Sequence, residues 1–254
     1  MSNQPETNSR EGAWAQPVDR LKVPDLQAGA VNLNVEGRRV TGPVQGFGQM
    51  WQKTYAIRLA NSPVTPKEVI RAWKENFAGF WPQGNRFYGR SGSITPGQVA
   101  VLNLAGPSGV NVPGGTVIST GIIVIYADEE SFSFMTPQGH MFAGMITFSA
   151  EREGGDTVVQ IQALLRASDP LFEITFRLGF GHKMEDVFWF QTLRNLAAHF
   201  NAPPSEPQLR MVLVDPRLQW SEAKNIWHNA AIRTAFYTLG APIRWLRGPA
   251  GGVK

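Results

Sequence analysis

Residues 132–151 read FSFMTPQGHMFAGMITFSAE: two phenylalanine-rich runs on either side of T-P-Q-G-H. Aromatic and β-branched residues flank a Pro/Gly corner, which predicts two strands joined by a turn. The surrounding sequence extends the pattern. NRFYGRSG, QVAVLNLAG, TVISTGIIVIYA, SFSFMT, MFAGMITFSAE and TVVQIQALLRAS follow one another over residues 85–168, separated by Pro96-Gly97, Pro113-Gly114-Gly115, Asp128-Glu129-Glu130 and Gly154-Gly155-Asp156. Connections this short imply antiparallel neighbours, because a parallel crossover needs a dozen or more residues.

An earlier strand is expected over Phe47–Leu59, where Trp51, Lys53, Tyr55, Ile57 and Leu59 share one face. A helix follows it. Thr65 is a good N-cap, Pro66 takes the first helical position and Glu68 completes a T-x-x-E capping box. Val69, Trp73, Phe77 and Phe80 then form a stripe that ends near Trp81-Pro82. After the strands, Lys183–Phe200 reads as a second helix with Trp189, Phe190, Leu193, Leu196, Ala197 and Phe200 in one arc. An antiparallel sheet has one face to cover, and this late helix is its natural cover.

Composition removes several kinds of chemistry. The 254 residues contain no cysteine, which excludes disulfides, thiolate catalysis and cysteine-type zinc sites. His140, His182, His199 and His228 show no metal-ligand spacing, so neither a metal nor another cofactor is expected. No phosphate-loop order and no G-x-S-x-G elbow occurs. The first residues lack a signal-peptide pattern and no apolar run spans a bilayer, so a soluble, cytoplasmic protein is expected.

The order strand, helix, long antiparallel sheet, aromatic-faced helix comes with three matching stretches: Pro96–Leu102, Ile122–Phe134, and Gly139, His140, Gly144 and Phe148 in the pattern G-H-x-x-x-G-x-x-x-F. In these the chain resembles the START-like (SRPBCC, helix-grip) superfamily, and within it a domain family of unknown function. The resemblance covers about Phe47 to Phe200. It implies an α+β helix-grip fold, a curved antiparallel sheet wrapped around a long C-terminal helix with an apolar cavity between them. It implies no particular reaction. Where that pattern carries acidic residues after the Gly-His corner, this chain has Phe142, Met145 and Ile146.

The expected organisation is a mobile N-terminal arm (1–45), the helix-grip domain (46–201) and a basic C-terminal extension (202–254). Residues 208–254 hold a charge surplus of +5, while the remainder sums to −1. That tail offers a short apolar run, Leu209–Val214, and a helix over Ser221–Leu239 closed by Gly240.

The function expected first is binding of a small hydrophobic or lipid-like molecule. Its candidate lining residues are Trp73, Phe77, Phe134, Phe142, Phe148, Trp189 and Leu193, with Gln160 and Gln162 as polar contacts if their face points inward. A second reading is a cyclase- or hydrolase-type enzyme on an apolar substrate with His140 as acid–base. No carboxylate lies between Glu130 and Glu151 to orient that ring, and a turn histidine bonded to backbone is its plain alternative. Arg58 and Arg166, near strand ends, are candidates for an anionic head group. A third reading is a membrane-surface adaptor, with Arg244, Trp245 and Arg247 on an anionic surface. The bases are too dispersed for nucleic acid.

Overall fold

The computed structural model describes residues 13–24, 26–90, 94–105 and 118–240. The strands are β1 (Val40–Thr41), β2 (Met50–Leu59), β3 (Arg86–Tyr88), β4 (Val99–Leu104), β5 (Ile118–Ala127), β6 (Ser131–Pro137), β7 (Phe142–Glu153), β8 (Asp156–Ala167) and β9 (Gln208–Asp215). The helices are α1 (Pro66–Glu75), α2 (Pro170–Arg177), α3 (Phe180–His199) and α4 (Ala230–Leu239). The sheet runs β3-β4-β5-β6-β7-β8-β2-β9, antiparallel throughout, with β1 added beside β6. Its inner face grips α3, so the fold is an α+β helix-grip arrangement. The first long strand closes against the last hairpin strand, pairing Tyr55 with Ile161.

Local chemistry accounts for most of the elements. The Thr65 hydroxyl accepts from the Glu68 N–H, and the Glu68 carboxylate accepts from the Thr65 N–H at 2.7 Å, so the capping box forms as expected. The helix ends sooner than its aromatic stripe: α1 stops at Glu75 and Phe77–Phe80 continues as a 3-10 turn. The tighter turn still buries Phe77 and Phe80. The helix α2 is an addition to the expected elements, and its start is encoded in D-P-L-F: Asp169 accepts from the Leu171 and Phe172 N–H groups at 2.9 and 3.1 Å, and Pro170 follows it.

The segment expected to be a mobile arm is packed over its described residues. Leu21 and Val35 are fully buried against Val101 and Ile123 on the outer face of the sheet, and β1 pairs with β6. Isolated apolar residues in irregular chain leave no periodic signature, which is why this segment reads as an arm.

The tail is woven into the same face. Asn34 Nδ2 donates to the Ser119 carbonyl at 2.7 Å while its Oδ1 accepts from Arg233 at 2.9 Å. Arg38 donates to His228 Nδ1 at 2.7 Å. The expected helix over 221–239 is two elements, a 3-10 stretch Trp220–His228 and then α4. Asn229 separates them by capping α4 through the Ile232 N–H and donating to buried Asp169 at 2.9 Å. Arg244, Trp245 and Arg247 lie outside the described residues, as does the glycine-rich 106–115 segment.

Candidate functional site

The space between the inner face of the sheet and α3 divides into two chemically different halves. Under the C-terminal half of α3 lies an aromatic cluster. Trp73, from α1, is fully buried and meets Phe132 and Phe148 edge-on at 5.8 and 5.1 Å. Phe77 meets Phe132, Phe134 and Phe148 edge-on at 5.7, 5.2 and 5.3 Å, and Phe132 stacks on Phe148 at 4.7 Å. From α3, Leu193 is fully buried in this cluster and Trp189 approaches Phe148 at 5.5 Å. Six of the expected lining residues therefore converge: Trp73, Phe77, Phe134, Phe148, Trp189 and Leu193.

Two polar atoms stand out inside this wall. The indole N–H groups of Trp73 and Trp81 are buried and have no hydrogen-bond partner among the described residues. An unmatched buried donor costs about 1–3 kcal/mol, so two of them in one cluster need an explanation. Trp81 sits at the less buried end of the cluster, edge-on to Phe87 and Phe188 at 5.6 and 5.1 Å, both of which are half-buried.

Three expected lining residues lie elsewhere. Phe142 stacks on Phe176 at 4.9 Å beneath α2, in a separate cluster with Ala167 and Phe172. It shares the face of Phe148 but lies six residues along the strand, and the unforeseen α2 covers that end. Gln160 and Gln162 are on the outer face, bonded to each other at 3.2 Å, with Gln160 also donating to Glu151. Val159 and Ile161 take the inner positions, as the two-residue period requires.

His140 is the corner of its hairpin. It is buried, its Nδ1 accepts from the Phe142 N–H at 3.0 Å, and burial pulls its pKa down to about 4. Gly139 beside it has φ +93°, and a Cβ there would stand 2.0 Å from the His228 carbonyl oxygen. Its own carbonyl accepts from the Ala230 N–H at 2.9 Å. The Gly-His corner thus docks the C-terminal segment. The candidate anion-binding arginines are occupied as well. Arg166 is buried and donates to Asp215 Oδ2 and the Gly48 carbonyl, both at 2.5 Å, and to the Arg217 carbonyl at 2.8 Å. Arg58 pairs with Glu153 and Asp156.

The other half of the space, under the N-terminal half of α3, holds an ion cluster that sequence reading did not single out. Lys53 is fully buried, and its Nζ lies 2.9 Å from Glu185 Oε2 and 2.7 Å from Asp186 Oδ1. The Tyr55 hydroxyl donates to the same Asp186 oxygen at 2.7 Å. Burial lifts the Glu185 carboxyl to about 7 against the opposing pull of Lys53, and raises the Tyr55 hydroxyl above the ordinary phenol range. His182, edge-on to Trp51 at 5.4 Å, is held near 4 by burial and by the Lys53 charge. A signal was present: Lys53 stands on the apolar face of β2, and Glu185 precedes Trp189 and Leu193 at four-residue spacing.

Among the described residues no group of three His, Asp or Glu side chains is placed to hold a metal ion, and no helix is long and apolar enough to cross a membrane.

No family model and no curated protein matches this chain. Solved structures do. The KanY protein, solved by NMR, is 14% identical with a TM-score of 0.43, over 59% of this chain and 96% of that one. The di-domain ARO/CYC StfQ from the steffimycin biosynthetic pathway is 9% identical with a TM-score of 0.44, over 60% of this chain and 51% of StfQ. Major latex-like protein 151 from Panax ginseng is 15% identical with a TM-score of 0.36, over 60% and 99%. Likenesses of this order carry neither ligand nor reaction across to this chain.

Proposed function

We propose that this protein binds a small, largely apolar molecule carrying an oxygen acceptor, between the sheet and the C-terminal half of α3. The observation that carries this reading is the pair of buried, unpartnered indole N–H donors, Trp73 Nε1 and Trp81 Nε1, within a wall of phenylalanine rings. An apolar lining with a few convergent polar groups is the usual composition of a small-molecule site. The ligand enters at the half-buried end, displacing Phe87 and Phe188 from Trp81, and its oxygen accepts from the indoles. Burying ~300 Å² of such a ligand yields a gross ~7 kcal/mol at about 25 cal/mol/Å². Association and ordering take back several kcal/mol, so burial alone leaves about millimolar binding and the indole hydrogen bonds must supply the rest. No catalytic step is assigned to His140, whose ring is engaged with its own backbone.

Native mass spectrometry of gently purified protein, with organic extraction and identification of the cargo, tests this directly. An extra stoichiometric mass of an oxygen-bearing apolar compound supports it. A clean apo mass, with no thermal shift across a lipid and isoprenoid panel, overturns it. Trp73→Phe and Trp81→Phe keep a ring and remove a donor, and each should weaken binding about tenfold, or ~1.4 kcal/mol.

A further inference from the structure

The two edges of the sheet are finished differently. One edge is β3, three residues long and carrying Arg86, the kind of short, charged margin that discourages further pairing. The other is β9, eight residues long and, among the described residues, hydrogen-bonded only to β2. Its sequence, QLRMVLVD, contains no proline and no lysine. Met211, Val212, Leu213 and Val214 are 44%, 43%, 39% and 49% exposed, so apolar side chains reach solvent on both faces of an open strand. The inner-face row consists of Leu209, Met211 and Leu213, opposite Tyr55, Lys53 and Trp51.

We propose that β9 is the interface of a homodimer, in which two copies pair their β9 strands antiparallel about a twofold axis and continue the sheet from one molecule into the other. Self-pairing is favoured by the sequence of the strand. With Met211 facing its own copy, Leu209 lies opposite the second copy's Leu213, and no like charges are directly opposed. A twofold closes the contact after one step, whereas a head-to-tail arrangement would leave a fresh edge exposed. At 3.4 Å per residue the strand is ~27 Å long, and a band as wide as the ~10 Å spacing of packed sheets covers roughly 270 Å² on each copy. The total stays below the ~1,000 Å² of a stable specific interface, so a weak, concentration-dependent dimer is expected.

Sedimentation velocity on the full chain, from about 1 to 200 µM, reads the proposal against the ladder of affinities. The expected result is a shift from 28.0 kDa toward twice that mass as concentration rises. Val212→Lys places a lysine opposite the second copy's Arg210 twice over. It should raise the dissociation constant about tenfold while circular dichroism stays unchanged, since Val212 faces solvent. Concentration-dependent protection of the β9 amides from hydrogen exchange would locate the contact. A monomer at every concentration, growth beyond the dimer, or a dimer indifferent to Val212→Lys overturns the proposal.

Discussion

The two halves of the space beneath α3 are built on opposite principles. The half around Trp73 and Phe148 is held by shape, with rings edge-on and stacked at about 5–6 Å and hardly a charge among them. The half around Lys53 is held by charge, with two carboxylates converging on one buried ammonium. Packing of the first kind is indifferent to pH and intolerant of lost volume. The second kind tolerates shape changes, but each partner is costly to remove alone, because the others are left charged in a dry environment.

That contrast makes distinct predictions. Phe148→Ala should cost the most, about 3–5 kcal/mol, and equally at pH 5 and pH 8, as read by denaturant unfolding. An effect that varied strongly with pH would remove the distinction between the halves. Lys53→Met, close to it in volume, should cost about 3 kcal/mol at pH 8, where Glu185 and Asp186 lose their counter-charge. The cost should shrink at pH 5, because Glu185, already lifted to about 7 by burial, then takes a proton.

An effect of similar size, confined to acid, separates the hairpin corner from both halves. His140 titrates near 4 in the folded chain and near 6.5 when unfolded, so the unfolded state gains a proton first on acidification. Its contribution is intact above pH 6.5 and is lost as pH falls toward 4, on the order of 3 kcal/mol over that window. His140→Gln should flatten the fall in melting temperature over that range. Glu185 acts in the opposite direction, favouring the folded state below its unfolded value of 4.5 and losing that benefit as pH rises through about 7. Glu185→Gln should therefore steepen the acid-side fall where His140→Gln flattens it. The smallest effect belongs to Gln160→Ala and Gln162→Ala. On the outer face, each should change stability by no more than about 0.5 kcal/mol and leave ligand binding untouched.

Much of the fold was legible because its signals are local. The β5–β8 hairpins announce themselves through two-residue alternation and Gly/Pro corners, α1 through its capping box, and α3 through the spacing of Trp189, Leu193 and Leu196. α2 was not read: eight residues give a weak period, and only Asp169-Pro170 marked its start. The aromatic cluster was legible for the same reason as the strands that carry it. The ion half was not, although Lys53 on an apolar strand face was an anomaly visible in the sequence.

By itself the sequence determined the antiparallel sheet, the capped first helix and the aromatic-faced helix α3, because periodicity and turn chemistry act over a few residues. Only the tertiary structure decided which face of β8 is inner, that α2 covers Phe142, and that irregular chain at both ends is stitched to the outer face. The pairings behind those decisions join Lys53 to Glu185 across 132 residues and Asn34 to Arg233 across 199. Contacts at such separations depend on how the layers meet, and a buried charge pairs with whichever group the packed layers bring within reach.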